Sequence, residues 1–409
     1  MAAKHAEVAG AGLAGLMAAT RLAQLGWSVR LHERNSELRM FGAGIWLWEN
    51  GLRSLQAAGA FDAAVARAQV IKEWRIADEN GNILYTRPMT AGDRLLLPPR
   101  ADLYEALIQR AGQLGVDIVT SSVAVSVRPD GVLELQSGAE LQADLVVVAD
   151  GAFSRLRESL LCTASIDYGI EAGIRMLIDR TPGYPDDLIT EYWNDRWRLL
   201  YNPCTDGEDY IFLSAPVSDE RARRSPIDRD LWREKFPIVA DVINRFTEAS
   251  RWDRLVNVRC RAWSAGKVAI IGDAAHAMPP NLGQAANMAF TNAMSLAASV
   301  TGRDDIEQAL REWETNERPL TDHVQRFSYY YGFFLGKWPA NLLALRSDIL
   351  RAIQSSTWFE EVLNRGMRHI PAGAGMDAAP NGLAATTGGI HPRPLAPPAE
   401  AGTVSRPGS

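Results

Sequence analysis

An α/β fold is expected: a doubly wound parallel-sheet domain, interrupted by a mostly antiparallel β-sheet domain and followed by C-terminal helices. Three observations predict it. The chain opens with apolar and glycine spacing that gives strand, tight turn, helix and strand. Two later apolar runs, Leu145 to Ala149 and Lys267 to Ile271, have the near-continuous hydrophobicity of strands covered on both faces. Between them lie short alternating runs separated by turn residues, the pattern of an antiparallel sheet.

In the first unit Glu7-Val8-Ala9 leads into Gly10-Ala11-Gly12-Leu13-Ala14-Gly15. A helix-like stretch from about Ala14 to Leu25 follows, and a second strand from Trp27 to His32 closes on Glu33. Gly10 permits the tight turn, Gly12 lets the backbone approach a pyrophosphate, and Gly15 lets helix and strand pack without an intervening Cβ. The pyrophosphate then meets free N–H groups at the helix N-terminus. Glu33 stands 18 residues after Gly15, where it can accept hydrogen bonds from an adenosine ribose. The unit is thus of Rossmann type, and by itself does not distinguish NAD from FAD.

Along the chain, Leu38 to Ile45 holds Gly42 and Gly44, which suit either backbone approaching a ligand or an ordinary surface loop. Asn50 to Ala58 is helical, with Leu52 and Leu55 on one face. Glu73 to Ala77 and Ile83 to Tyr85, joined by Asn80-Gly81-Asn82, form a hairpin belonging to a different sheet. Arg100 opens a helix running to Gly112. Strands follow at Asp117 to Val119, near Val123 to Val127, at Val132 to Leu135 and at Leu145 to Ala149. Ile166 to Val217 is mostly strand, and Asp228 to Thr247 is helical. Beyond Gly283 the pattern is helical almost to Met367, with a helix start near Asp304 and a break or kink at Pro319. From Pro371 the chain is rich in Ala, Gly and Pro without periodicity, so disorder is expected. The domain division is 1–69, 98–165 and 258–300 for the nucleotide domain, 70–97 and 166–257 for the sheet domain, 301–370 for the helices and 371–409 for the tail.

The 409 residues suffice for two or three domains, and 47% hydrophobic residues support a large core. A net charge of -6 argues against nucleic acid or an anionic membrane as main partner. There is no apolar run long enough for a membrane span and no secretion-signal layout. Three scattered cysteines suit a reducing cytoplasm and give no metal-ligand spacing.

Three separated motifs now stand in order: Gly10-x-Gly12-x-x-Gly15 with Glu33; Ala149-Asp150-Gly151; and Gly272-Asp273-Ala274-Ala275-His276 followed by Pro279 and Gly283-Gln284. Over about Glu7 to Pro319 the chain resembles the single-component FAD-dependent aromatic hydroxylases with the p-hydroxybenzoate hydroxylase fold. The resemblance implies FAD as cofactor, NADH or NADPH as co-substrate, and hydroxylation of an aromatic ring by dioxygen through a flavin hydroperoxide, with or without ring opening. No residue need act as a catalytic group, because the flavin carries the chemistry. It also implies that Gly10, Gly12, Ala14, Gly15, Glu33, Arg34, Gly44, Arg100, Asp150, Asp273, Pro280, Gly283, Ala285, Ala286 and Asn287 hold FAD. In that family the Asp-Gly segment is also implicated in NAD(P)H use, and the Gly-Asp motif sets a carboxylate beside the flavin ribitol. By position alone, Asp273 ends a buried strand and faces the ligand crevice, or else caps a helix. His276 fits a structural role better than a catalytic one. The family's Gly-Gln-Gly and Asp-Ala pairs are replaced at Ala285 and Asn292.

Closer likeness is to the branch acting on hydroxylated pyridine carboxylates, carried by the stretch beginning at Phe41 and the segment from Arg198 to Tyr210. It implies substrate contacts from Arg198 and Tyr210, with Trp46, Trp48 and Pro280 also in the substrate site. An Arg facing the cavity would hold a carboxylate or phenolate in bidentate fashion, whereas a solvated strand residue is the plain alternative. A tyrosine used by that branch has no match, and Ile71 lies near its place. Trp46, Trp48 and Trp74 suit pocket walls or core packing. Phe327 to Trp338 suits a lid, a dimer face or a buried helix. A small aromatic substrate and a monomer or homodimer are expected. The rivals are an NAD-linked dehydrogenase and a non-catalytic FAD-binding regulator; the tryptophan signature of flavin halogenases is absent.

Overall fold

A computed structural model describes residues 3–38, 43–160, 162, 164–247 and 252–376. Its parallel sheet has six strands in the order Ser264–Ala265, Val268–Ile270, Leu145–Val148, His5–Ala9, Ser28–His32 and Asp117–Val119. Only the Ser264–Ala265 edge runs antiparallel to its neighbour. The register sets Ala9 beside Val148 and Val148 beside Ile270. Three strands therefore end together, and the turns that follow them share one edge of the sheet. The central strands are fully buried, and helix Leu13–Gln24 packs against Arg100–Gln113 and Ala285–Val300. The strands share one core with that helix and with Val127 and Leu133 of a separate three-stranded sheet, and burial without a solvated face explains why their sequence is apolar without alternation.

The second sheet has seven strands, in the order Asp253–Cys260, Ala164–Asp179, Glu208–Pro216, Trp197–Pro203, Leu188–Asn194, Glu73–Asp78 and Ile83–Pro88. All neighbours are antiparallel except Leu188–Asn194 and Glu73–Asp78. Side chains alternate across it. Ile174, Met176, Leu199, Tyr201, Ile211 and Leu213 pack with Leu231, Trp232, Val242 and Ile243 of the helices on the outer face. The intervening Arg175, Arg198, Leu200, Tyr210 and Phe212 point the other way, into a cavity. The strand Leu188–Asn194 lies within the mostly-strand stretch Ile166 to Val217 but shows no separate start in the sequence, because it follows directly on the turn-rich Thr181 to Asp187.

Helix boundaries hold three corrections. The long helix spans Ile306–Gly336, and its cap is Asp305, whose Oδ1 accepts from Gln308 N at 2.9 Å, rather than Asp304. Ile306 is buried and fixes the register one residue later. The helix does not break at Pro319. Leu310 and Trp313 before it and Thr321 and Val324 after it are buried, which outweighs the roughly 3 kcal/mol of an interior proline. Lastly, the packed chain runs past Pro371. Ala374 and Met376 are buried, Arg21 Nη2 donates to Ala374 O at 2.9 Å and Arg53 Nη1 to Met376 O at 3.2 Å. The rest of the expected tail, from 377, lies outside the described residues, as do 39–42 of the glycine-containing loop.

The aromatic run lies within this long helix: Tyr331 turns inward to Trp74 and Trp193, while Tyr330 and Phe333 are exposed. Among the described residues no helix is long and apolar enough to cross a membrane. The cap assignment predicts that Asp305→Ala costs about 1 kcal/mol of stability in thermal or denaturant unfolding, whereas Asp304→Ala is neutral within a few tenths.

Candidate active site

The turns after the three strands are held in contact by missing side chains. Gly10, at φ +108°, would put a Cβ 2.4 Å from Ala149 O, and Gly15 would put one 1.9 Å from Gly10 O. Gly272, at φ +59°, would put one 2.6 Å from the Ala14 Cβ. So the fingerprint turn, Ala149-Asp150-Gly151 and Gly272-Asp273 are brought together. By contrast, a Cβ on Gly12 would meet nothing within 4 Å. Gly12 also begins helix Leu13–Gln24 with no side-chain cap, so the first N–H groups are left for a ligand. Glu33 reaches the same turn, its Oε2 accepting from Ala11 N at 3.1 Å. Asp150 Oδ1 is buried without a hydrogen-bond partner among the described residues. An open glycine, an uncapped helix and an orphaned acceptor fit a bound dinucleotide.

The cradle opens into a cavity of about 390 Å³, within the range of small-molecule sites. Its near wall is Gly12, Ala14, Ala149, Gly151 and Asp273, together with Pro280, Gly283, Ala285 and Ala286 at the uncapped start of helix Ala285–Val300. Its far wall is the inner face of the seven-stranded sheet. A strap, residues 43–48, joins the two. Gly44 bridges to Pro99, and a Cβ on it would lie 2.7 Å from the Tyr210 ring. Trp46 lines the cavity and donates from Nε1 to Asn202 Oδ1 at 2.8 Å.

Charge in the cavity falls into two groups. Arg100, Arg175, Asp273 and Tyr210 form the first. Burial pushes the Asp273 carboxyl up against the opposing pull of Arg100 and Arg175. Burial pushes the Tyr210 hydroxyl up too, with Arg175, Arg100 and Arg198 opposing. The second group surrounds Arg198, which is 2% exposed. Its Nη1 donates to Glu191 Oε1 at 3.3 Å and its Nη2 to Asn281 Oδ1 at 2.8 Å. Burial alone would lower its pKa, but Glu191, Glu171 and Tyr331 hold it above the usual value. Glu171 is pushed up to about 7, chiefly by burial and further by Glu191, with Arg198 opposing.

A family profile described as FAD binding domain matches residues 4–302. The chain belongs to the FAD-dependent aromatic hydroxylases. The 2-heptyl-3-hydroxy-4(1H)-quinolone synthase of Mycobacteroides abscessus is 37% identical to this hydroxylase, covering 80% of this chain and 90% of that one. The 3-amino-4-hydroxybenzoate 2-monooxygenase of Streptomyces cremeus is 32% identical, covering 78% and 84%. The solved structure of a tetrameric form of 2-methyl-3-hydroxypyridine-5-carboxylic acid oxygenase superposes with a TM-score of 0.80 at 36% identity, over 91% of this chain and 98% of that one. Such coverage extends the likeness through both sheets.

Not every residue singled out by the sequence of this hydroxylase lines the cavity. Trp48 is fully buried, with Nε1 donating to Leu282 O, because it begins helix Glu49–Ala58 and turns into the core. The Asn287 side chain is used up, accepting from Trp48 N and donating to Trp46 O and Gly283 O. Arg34 is exposed beyond Glu33. Arg198 does line the cavity, with Nη1 on Glu191, Nη2 on Asn281 and its Nε buried without a hydrogen-bond partner among the described residues. His276 lies behind the wall, buried, with Asn292 Nδ2 3.1 Å from its Nε2, and burial brings it down to about 4. Ile71 is buried in the strand Gln69–Ile71 and is not part of the lining. Missed altogether were Arg175, Glu191, Phe212 and Asn281. Strict alternation from Tyr210 would have found Phe212, and alternation within Arg175 to Ile178 would have found Arg175.

Glu171 gives a pH test. Burial favours its neutral form, so its contribution to stability is full below the unfolded pKa near 4.5 and is lost as pH rises through about 7. Glu171→Gln removes that loss. Its melting temperature relative to wild type should climb between pH 5 and 8, corresponding to a gain on the order of 1–3 kcal/mol. A difference that stays flat across that range removes Glu171 as a titrating group.

Proposed function

We propose that this hydroxylase inserts one oxygen atom into the ring of a small hydroxylated or oxo-substituted aromatic, pyridine or quinolone compound. Electrons come from NADH or NADPH and oxygen from dioxygen. The observation that carries the reading is continuity: the dinucleotide cradle at the strand ends opens directly into a cavity walled by the second sheet. Gly10, Gly12, Ala14, Gly15, Glu33 and Asp150 would hold the nucleotide end of FAD. Arg100, Asp273, Pro280, Gly283, Ala285 and Ala286 would hold the end nearer the cavity. FAD, when bound there, supplies the activation of dioxygen and the oxygen transfer.

The chain supplies orientation and dryness. Trp46, Leu200, Phe212, Leu255 and Met278 give the cavity an apolar lining that excludes water. Arg175 beside Tyr210 offers a cation and a hydroxyl to an oxygen substituent on the ring. Cys162, Cys204 and Cys260, all buried and unpaired, support a reducing compartment such as the cytoplasm.

The test is NAD(P)H oxidation by protein incubated with FAD, expected to rise with a hydroxypyridine, hydroxybenzoate or quinolone and to place one labelled oxygen atom in the product. A protein that takes up no flavin, or oxidises NAD(P)H equally with and without every ring compound, overturns the reading. Gly12→Val separates cradle from fold. A Cβ at this position meets nothing within 4 Å and the backbone φ is -74°, so folding should be retained. FAD affinity should fall about 100-fold or more as the pyrophosphate loses its close approach to the backbone.

A further inference from the structure

The sheet wall of the cavity carries a carboxylate that the reaction above leaves without a task. Glu191 lines the cavity yet is only 1% exposed. Three donors converge on its Oε1: Trp193 Nε1 at 2.8 Å, Tyr331 OH at 3.0 Å and Arg198 Nη1 at 3.3 Å. Among the described residues no donor is seen on Oε2, which is therefore the acceptor that Glu191 offers to the cavity. Its frame is rigid. Arg198 Nη2 is tied to Asn281, whose Nδ2 donates to Ser328 O at 2.9 Å, and the guanidinium stacks 4.9 Å from the Phe212 ring.

The arrangement discriminates by charge. Arg198 already serves Glu191 and stands in the field of Glu171. A substrate carboxylate here would compete with Glu191 for one guanidinium in a buried place, a costly addition. Arg100 and Arg175 also line the cavity, but they answer Asp273 and Tyr210. Asp253 and Arg254 enter together on the edge strand. An ionised acceptor fixed by three donors suits instead a neutral ring that donates. Such a bond, charge-assisted, also pushes electron density into the ring, which favours attack by electrophilic oxygen.

We propose that Glu191 recognises the ring N–H of a neutral heteroaromatic substrate of the 4(1H)-quinolone type, in preference to a ring carboxylate. This rests on the monooxygenase reading and narrows its substrate class.

The experiment titrates FAD-loaded wild type and Glu191→Gln with 4(1H)-quinolone, 1-methyl-4-quinolone and 4-hydroxybenzoate, read by flavin absorbance and by tryptophan fluorescence. Retained FAD and an unchanged melting profile certify the variant. Wild type should bind the N–H quinolone about tenfold or more tighter than its N-methyl form, the worth of a hydrogen bond to a charged group. In Glu191→Gln that gap should shrink to about threefold or less, because the charge is gone and only a neutral acceptor remains. Binding of 4-hydroxybenzoate, which has a carboxylate and no ring N–H, should improve about tenfold in the variant as Arg198 is released. Equal wild-type affinity for N–H and N-methyl rings, or wild-type preference for the carboxylate, overturns the assignment to Glu191. If carboxylates alone stimulate NAD(P)H oxidation, the Glu191 proposal falls and the monooxygenase reading stands; if no ring compound binds or stimulates, both fall.

Discussion

Backbone pressed against backbone at the ends of three parallel strands is the constraint on which the site depends. Ala9, Val148 and Ile270 lie in one register, and the turns after them could not close if Gly10, Gly15 or Gly272 carried a Cβ. The same contacts that seal the turns to each other leave the Gly12 side open. The helix dipole of Leu13–Gln24, with no side-chain cap, then points its unsatisfied N–H groups at that opening. Packing requirement and ligand requirement are met by one set of glycines.

The opposite wall obeys a different rule. Buried ion pairs add little to stability compared with apolar residues of like volume, and removing one partner is costly. A sheet holding Glu171, Glu191 and Arg198 inside the protein is therefore poorly explained by stability. Glu171 takes up its share of the imbalance by favouring its proton until about pH 7. That leaves Arg198 and Glu191 as the lasting pair, with Tyr331 brought in from the long helix to complete the shell. Continuity of this helix through Pro319 is part of the same arrangement, since a break there would carry Ser328 and Tyr331 away from Asn281 and Glu191.

How much of this the sequence disclosed follows from where the information sits. The parallel sheet, its interruption by a second sheet and the first motif were legible because glycine encodes backbone shape locally and apolar runs encode covering. The partner of Arg198 was not. Glu191 lies on a strand hidden behind turn residues, Asn281 on a short 3₁₀ turn and Tyr331 on a distant helix, and no local pattern links them. Trp46 and Trp48 looked equivalent by spacing, yet one ends in the cavity and the other starts a helix. Asp304 and Asp305 are equivalent by residue type, and only the burial of Ile306 separates them.

The strap of residues 43–48 makes the two walls one mechanical unit. Arg100 N donates to Ala43 O at 2.8 Å, Trp46 holds Asn202 on the seven-stranded sheet, and Trp48 N is held by Asn287 on helix Ala285–Val300. Gly283, at φ +62°, presses on Trp46, where a Cβ would sit 2.7 Å from the ring. A glycine is needed at 283 for this reason, whereas Ala285 begins the helix, where alanine is a favoured residue. The departure from the family's Gly-Gln-Gly thus falls on the position that tolerates it. Because Trp46 touches the start of that helix on one side and the sheet on the other, the width of the cavity is set by the same contacts that aim the helix N-terminus. A ring too large for the cavity must shift both at once, which ties substrate fit to the alignment of the cofactor edge.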